Sequence, residues 1–320
     1  MVSALWRGLS VARAVATLVT SLALARTLVA QGPVLAERLG YPRDAKLLIL
    51  HADDLGVAHS VDRASFVALE SQAVSSASVM VPCPWLSEVA EYFKQHPKID
   101  LGLHLTLTSE WKTYRWRPVA PWDQVESLLG EDGYLWTEDL PFSQHAKPED
   151  VEREIRSQVD RALALGIHPT HLDSHMGTLF LDPRYFAVLV KVAHNYGLPF
   201  LAARDMNQGE RLLPMLSPKD LVLDSRPQLR LRPPIPGQPD DAKQQYLAML
   251  RALSPGVHEI IVHLGFDDAE LRAIMVNHAD FGSAWRQRDF EIVNSPEFKR
   301  ALADNNITLI TWRQLGRLMQ

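Results

Sequence analysis

The chain has 320 residues, 47% of them hydrophobic and 22% charged, with 16 glycines and 21 prolines. That is ordinary globular composition, which excludes disorder, collagen-like repeats and low-complexity scaffolds. A formal net charge of −5 argues against nucleic acid as a partner, and the single cysteine, Cys83, excludes an internal disulfide framework or a thiolate-built metal site.

Residues 1–31 differ from the rest. Arg7 and Arg13 precede a nearly continuous apolar stretch over 14–25, with small residues at Ala23 and Ala25 and a second small-residue exit at Ala30. This pattern predicts a signal peptide or N-terminal anchor, and export to a periplasm or beyond. The stretch falls short of the ~20 apolar residues of a membrane span, so no stable span is expected in the mature chain.

From Lys46 the pattern alternates strand, turn and helix. Residues 46–52 (KLLILHA) read as a buried strand, and Ser60 opens a helix with Val61, Ala64, Ala68 and Leu69 on one face. Strands are predicted over 76–81 and 99–105, with a helix over 87–95 between them. Residues 109–147 interrupt the rhythm with an insertion holding Trp111, Trp116, Trp122 and Trp136 and a Gly130–Gly133 turn. Alternation resumes with Val151, Ile155, Val159 and Ala162 on one helical face. Further strands are predicted over 168–173, 198–202, 220–223, 257–264 and 307–311. About eight short strands separated by helices, with no composition shift after residue 45, predict one α/β domain over 32–320. The expected architecture is a distorted, TIM-barrel-like (β/α) barrel, favoured over an open doubly wound sheet because no glycine fingerprint follows the first strand.

The polar residues gather where the strands end. Asp53 and Asp54 close the first strand and His104 the third; His171, Asp173 and His175 surround the end of the fourth, and His263 ends a late one. In a parallel barrel these ends share one face, so the side chains converge. Burying each alone costs hydration, and a divalent ion resolves that cost for several at once. One carboxylate and two imidazoles leave open positions on such an ion, as in catalytic sites. Water there is nucleophilic at neutral pH, a second carboxylate serves as general base, and a histidine across the site can protonate a leaving nitrogen. His51 lies out of phase with Asp54 by strand alternation and is a weaker candidate than the histidines at the strand ends.

The segments His51-Ala52-Asp53-Asp54-Leu55-Gly56, Gly102-Leu103-His104-Leu105 and Thr170-His171-Leu172-Asp173-Ser174-His175 resemble, in order and spacing, the motifs of the YdjC-like carbohydrate deacetylases. This family is similar to the NodB-type polysaccharide deacetylases. The resemblance spans roughly 46–312. It implies a distorted (β/α) barrel, one divalent metal ion (Mg2+ or Zn2+), and removal of acetyl groups from N-acetylated amino sugars or oligosaccharides. It also implies Asp54, His104 and His175 as metal ligands, Asp53 as general base and His263 as general acid. The family commonly continues its third motif with more histidines, where this chain reads Met176-Gly177-Thr178.

Trp111, Asp173 and Arg288 are the candidate substrate contacts. The tryptophan-rich insertion is either a sugar-stacking wall or a small satellite core. Arg286, Arg288 and Asp289, beside Trp285, either line the pocket or form a salt-bridged surface. Two rival functions share this inventory: a barrel metallohydrolase acting on another amide or ester, and an exported glycan-binding protein without turnover. A base beside the ligand favours deacetylation, since binding alone needs none. Oligomeric state is not readable from the sequence.

Overall fold

The first strand, β1 (Lys46–Leu55), is buried from Leu47 onward and organises the sheet. The computed structural model describes residues 34–276 and 278–319, so the leader read over 1–31 lies outside the described residues. Beyond β1 the strands are β2 (Ser76–Val79), β3 (Leu101–Leu105), β4 (Leu172–Ser174), β5 (Gly256–Val262) and β6 (Ile307–Leu309). They form a six-stranded sheet in the order β4-β3-β2-β1-β5, with β6 also paired to β1. Every pairing is parallel.

The sequence predicts two more strands, over 198–202 and 220–223, and here the structure is sparser. Each of these segments contributes isolated parallel bridges: Leu172 with Phe200, Ala203 with Leu223, and Ser225 with His258. Pro199 can only accept from Leu172 N–H, while Leu201 N–H donates to the Leu172 carbonyl, so the ladder is one rung long. These bridges nonetheless carry the ring from β4 back to β5. The result is a (β/α) barrel distorted on one side, in keeping with its predicted class.

Alternation along β1 sorts the interior. Leu48, Leu50 and Ala52 pack outward into the main core beneath the helices. Leu47 and Ile49 face inward, joining Leu201, Ala203, Leu223, Val257 and Trp312 in a second, smaller core. Above that plug the interior turns polar. His51, Asp53, Ser76, Ser78, His104, His171, Asp173 and Glu259 are all buried. Such a column is stable only when its members satisfy one another. Trp312, which opens the helix Trp312–Gly316, stacks on His171 with centroids 5.0 Å apart and donates its Nε1–H to Glu259.

The insertion packs its apolar residues onto the main core rather than forming a separate satellite. Trp111, Trp116, Val125, Leu128, Leu135 and Phe142 are buried within it, whereas Trp122 is exposed. Cys83 is buried, and burial pushes its thiol up, away from thiolate chemistry. Among the described residues no helix is long and apolar enough to cross a membrane.

Candidate active site

Two adjacent carboxylates on a regular strand face opposite sides of the sheet. Asp53 and Asp54 do not, because β1 is irregular at this point. Its register with β2 shifts between Ala52 and Leu55, and Asp54 has a left-handed φ of 69°. This bulge turns both side chains toward one cavity, and it lies inside the strand rather than after it. Asp62 anchors the turn that follows by accepting the Gly56 N–H at 2.6 Å.

His104 comes from β3, directly opposite Asp173 on β4. Asp173 Oδ1 lies 2.6 Å from His104 Nδ1, which leaves His104 Nε2 aimed at Asp54 Oδ1, 3.3 Å away. His175 begins the turn after β4. Its Nδ1 also lies 3.3 Å from Asp54 Oδ1, while its Nε2 sits 3.1 Å from Glu110. Both imidazoles therefore have a carboxylate behind the far nitrogen, the arrangement that fixes the tautomer of metal-binding histidines. Asp54 Oδ2 is held by Arg286 Nη2 at 2.7 Å, and Asp54 Oδ1 has no hydrogen-bond partner although it is buried. Two imidazole nitrogens thus converge on an orphaned carboxylate oxygen. The ligand atoms of Asp54, His104 and His175 lie within 4.8 Å of one another, a donor set that can hold a divalent cation.

Charge is distributed accordingly. Burial alone would raise the Asp54 carboxyl, yet Arg286 and the two imidazoles hold it well below the usual carboxylate range. Burial disfavours charge on His104 and His175, but Asp173 and Asp53 raise the former, and Glu110 and Asp54 push the latter up to about 9. The carboxylates draw positive charge to this point, whether protons or a cation.

Asp53 stands beside the triad, its Oδ2 3.7 Å from His104 Nε2. Its Oδ1 is occupied, 3.0 Å from His51 Nε2 and 3.4 Å from Ser78 Oγ. Across the cavity His263 Nε2 lies 3.9 Å from Asp53 Oδ2. Burial, with Arg286 nearby, outweighs the pull of Asp54 and Asp53 and lowers the His263 pKa to about 4, so the ring is neutral at pH 7.

The structure brings together Asp53, Asp54, His104, His175 and His263, with Trp111 on the wall of the same cavity. Of the other two predicted substrate contacts, Asp173 lines the cavity and Arg288 does not. Asp173 reaches the cavity, but its oxygens are taken by His104 and by His51 Nε2, the latter 3.2 Å away, so it is a support behind His104. Arg288 lies behind the wall, where its Nη1 donates to the Arg232 carbonyl at 2.7 Å and pairs with Asp240 at 3.2 Å. Arg286, on the same helix, is the arginine that enters the site.

Three participants go unassigned in the sequence reading. His51 is fully buried between Asp53 and Asp173, which outweigh burial and push its pKa up to about 10. Alternation, counted from Asp53 rather than Asp54, would have found it. Glu110 carries no local signal, and Arg286, noted beside Trp285 as a pocket or surface residue, is not linked to Asp54 by the sequence.

A family model described as YdjC-like protein matches residues 47–304. A carbohydrate deacetylase of Thermus thermophilus is 33% identical over 281 residues, covering 87% of this chain and 97% of that protein. Another, from Geobacillus stearothermophilus, is 25% identical over 84% of this chain and 98% of its own. A crystal structure of an Enterococcus faecalis protein named for cellobiose-phosphate cleavage superposes with a TM-score of 0.71 at 27% identity. It covers 85% of this chain and 99% of its own.

Proposed function

This chain belongs to the YdjC-like protein family, and from that premise we propose that it is a metal-dependent carbohydrate deacetylase. It hydrolyses the acetamide of an N-acetylated amino sugar to acetate and a free amine. The observation carrying this reading is the convergence of His104 Nε2 and His175 Nδ1 on the partnerless Asp54 Oδ1, with Asp53 alongside. The names of the Thermus and Geobacillus relatives support the reaction class.

When bound by Asp54, His104 and His175, a divalent ion supplies Lewis acidity for the acyl carbonyl and the attacking water. Two imidazoles suit zinc or another first-row ion better than magnesium, which prefers an oxygen shell. Asp53 takes the water's proton at Oδ2, since Oδ1 is held by His51 and Ser78. His263 hands a proton from Nε2 to the leaving nitrogen. Its low pKa leaves it neutral at rest, so it must gain that proton within the same turnover; Asp53 Oδ2, 3.9 Å away, is the source, and the hand-over needs one bridging water or a closer approach of the two groups. The reading includes export on the leader of residues 1–31.

The test is release of acetate from a panel of N-acetylated amino sugars and oligosaccharides, with and without a chelator. His175→Ala should lose bound metal and activity together. Asp53→Asn should retain metal and lose turnover about a hundredfold or more, the usual weight of a general base. Full activity in Asp53→Asn, or chelator-resistant release, would overturn the assignment.

A further inference from the structure

The catalytic groups supply only a small part of the lining of the cavity. Its volume is about 660 Å³, large enough for a ligand well beyond one acetamido sugar. Besides the carboxylates and imidazoles, much of the wall is apolar, supplied by Leu201, Met206, Leu229, Leu231, Met249 and Ile260, with Asn207, Arg226 and Gln228 as polar neighbours. Leu229 and Leu231 come from an extended strap whose intervening Arg230 and Arg232 face solvent, an alternation that directs leucine inward. Arg288 pins this strap through the Arg232 carbonyl and Asp240.

The mouth repeats the theme. Met176 and Phe281 line it while remaining 55% and 47% exposed. Both are held at left-handed φ, 54° and 56°, which side-chain-bearing residues seldom adopt. Large apolar side chains kept in water on strained backbone are a costly arrangement, of the sort concentrated at ligand-binding sites.

A sugar ring can find partners at Asn207, Arg226 or Gln228 but not along the apolar arm walled by the leucines and methionines. Each hydroxyl turned toward Leu201, Leu229 or Leu231 gives up water without gaining a partner. We propose that the substrate's amino sugar carries an alkyl chain that fills the apolar arm, entering between Met176 and Phe281. The chain is either the group attached at the sugar's anomeric oxygen or an N-acyl group longer than acetyl. This inference rests on the deacetylase reading for its reacting end. The reaction stays balanced in either case: water adds to the amide, the C–N bond breaks, and carboxylate and amine leave.

The experiment uses two substrate series with the metal-loaded full chain, alongside calorimetric binding of methyl and hexyl glycosides of glucosamine. The first series is N-acetylglucosamine as methyl, butyl and hexyl glycosides; the second is methyl glucosaminide carrying acetyl, butanoyl or hexanoyl. One series should show kcat/KM rising by about fourfold per buried methylene, equivalent to ~0.8 kcal/mol, and its identity tells where the chain is attached. Leu229→Gln, on the partly exposed strap, should shrink the hexyl-to-methyl or hexanoyl-to-acetyl ratio. Acetate release with both series flat or falling would overturn the inference and leave the deacetylase reading standing. Should no acid be released from any substrate, that reading falls and the calorimetry decides, extended to N-hexanoyl against N-acetyl methyl glucosaminide: tighter binding of either longer-chain ligand supports the apolar arm, and no gain from either refutes it.

Discussion

Gly102, two residues before His104 on β3, offers a sharp test of the polar column that supports the site. A Cβ placed there would overlap the His171 ring, with Nε2 2.5 Å and Nδ1 2.6 Å away. To restore ordinary contact of 3.4 Å the ring must retreat by roughly 1 Å. It has little room, being stacked on Trp312 at 5.0 Å and edge-on to His51 at 5.1 Å. Overpacking of this kind costs ~1–3 kcal/mol. Alanine also restricts the unfolded chain, which returns ~0.4–1 kcal/mol. Gly102→Ala should therefore destabilise by about 1–2 kcal/mol, a fall in Tm of roughly 2–6 °C for a domain of this size. Because Asp173 sits two residues from His171 and holds His104 Nδ1 at 2.6 Å, the displacement reaches a candidate ligand. A misplacement near 1 Å can lower kcat by up to about a hundredfold. Thermal melts and acetate release should be measured on Gly102→Ala, His171→Ala and the double variant. In the His171→Ala background the added methyl has nothing to strike, so its cost should vanish. An equal loss in both backgrounds, or unchanged Tm and kcat in the single variant, refutes the column.

Arg286→Met removes the cation paired with Asp54 Oδ2 at 2.7 Å. Breaking a buried pair costs ~3–5 kcal/mol, and the loss should be largest in chelator and smaller with added zinc, where the ion itself neutralises Asp54. Identical Tm losses under both conditions would count against a cation at Asp54. Glu259, which accepts Trp312 Nε1–H inside the barrel, is raised from 4.5 to about 7, mainly by burial. The sign follows from proton counts: between those values the folded chain keeps a proton that the unfolded chain has lost, so this group's contribution falls as pH rises through the window. Glu259→Gln removes the effect and should gain on wild type by up to ~3 kcal/mol between pH 4.5 and 7, read as a widening Tm difference; a pH-independent difference would contradict the buried protonated carboxyl.

How far the site was legible depends on the distance over which each residue finds its partner. Asp53, Asp54, His104 and His175 stand at or just beyond strand ends, and a parallel barrel brings such ends together whatever the intervening loops do. The apolar runs at 198–202 and 220–223 were equally visible. Their pairing was not, because a strand is made by its neighbours, and these segments meet theirs through single rungs. Arg286 and Arg288 were both in view beside Trp285. Two positions apart on the helix Ser283–Asn294 they point about 200° from each other, so only one could enter the cavity, and the fold alone decides which. His51 teaches something different. Strand alternation separates it from Asp54 but aligns it with Asp53, two residues on. For Asp53 and Asp54 to share a cavity at all, alternation had to fail between them. An Asp-Asp pair ending a buried strand before glycine, with both carboxylates assigned to one site, therefore already implies the bulge that Asp54 supplies with its left-handed φ. Once that bulge is granted, the histidine in phase with Asp53 faces the barrel interior, and the positively charged support of the base follows from the spacing.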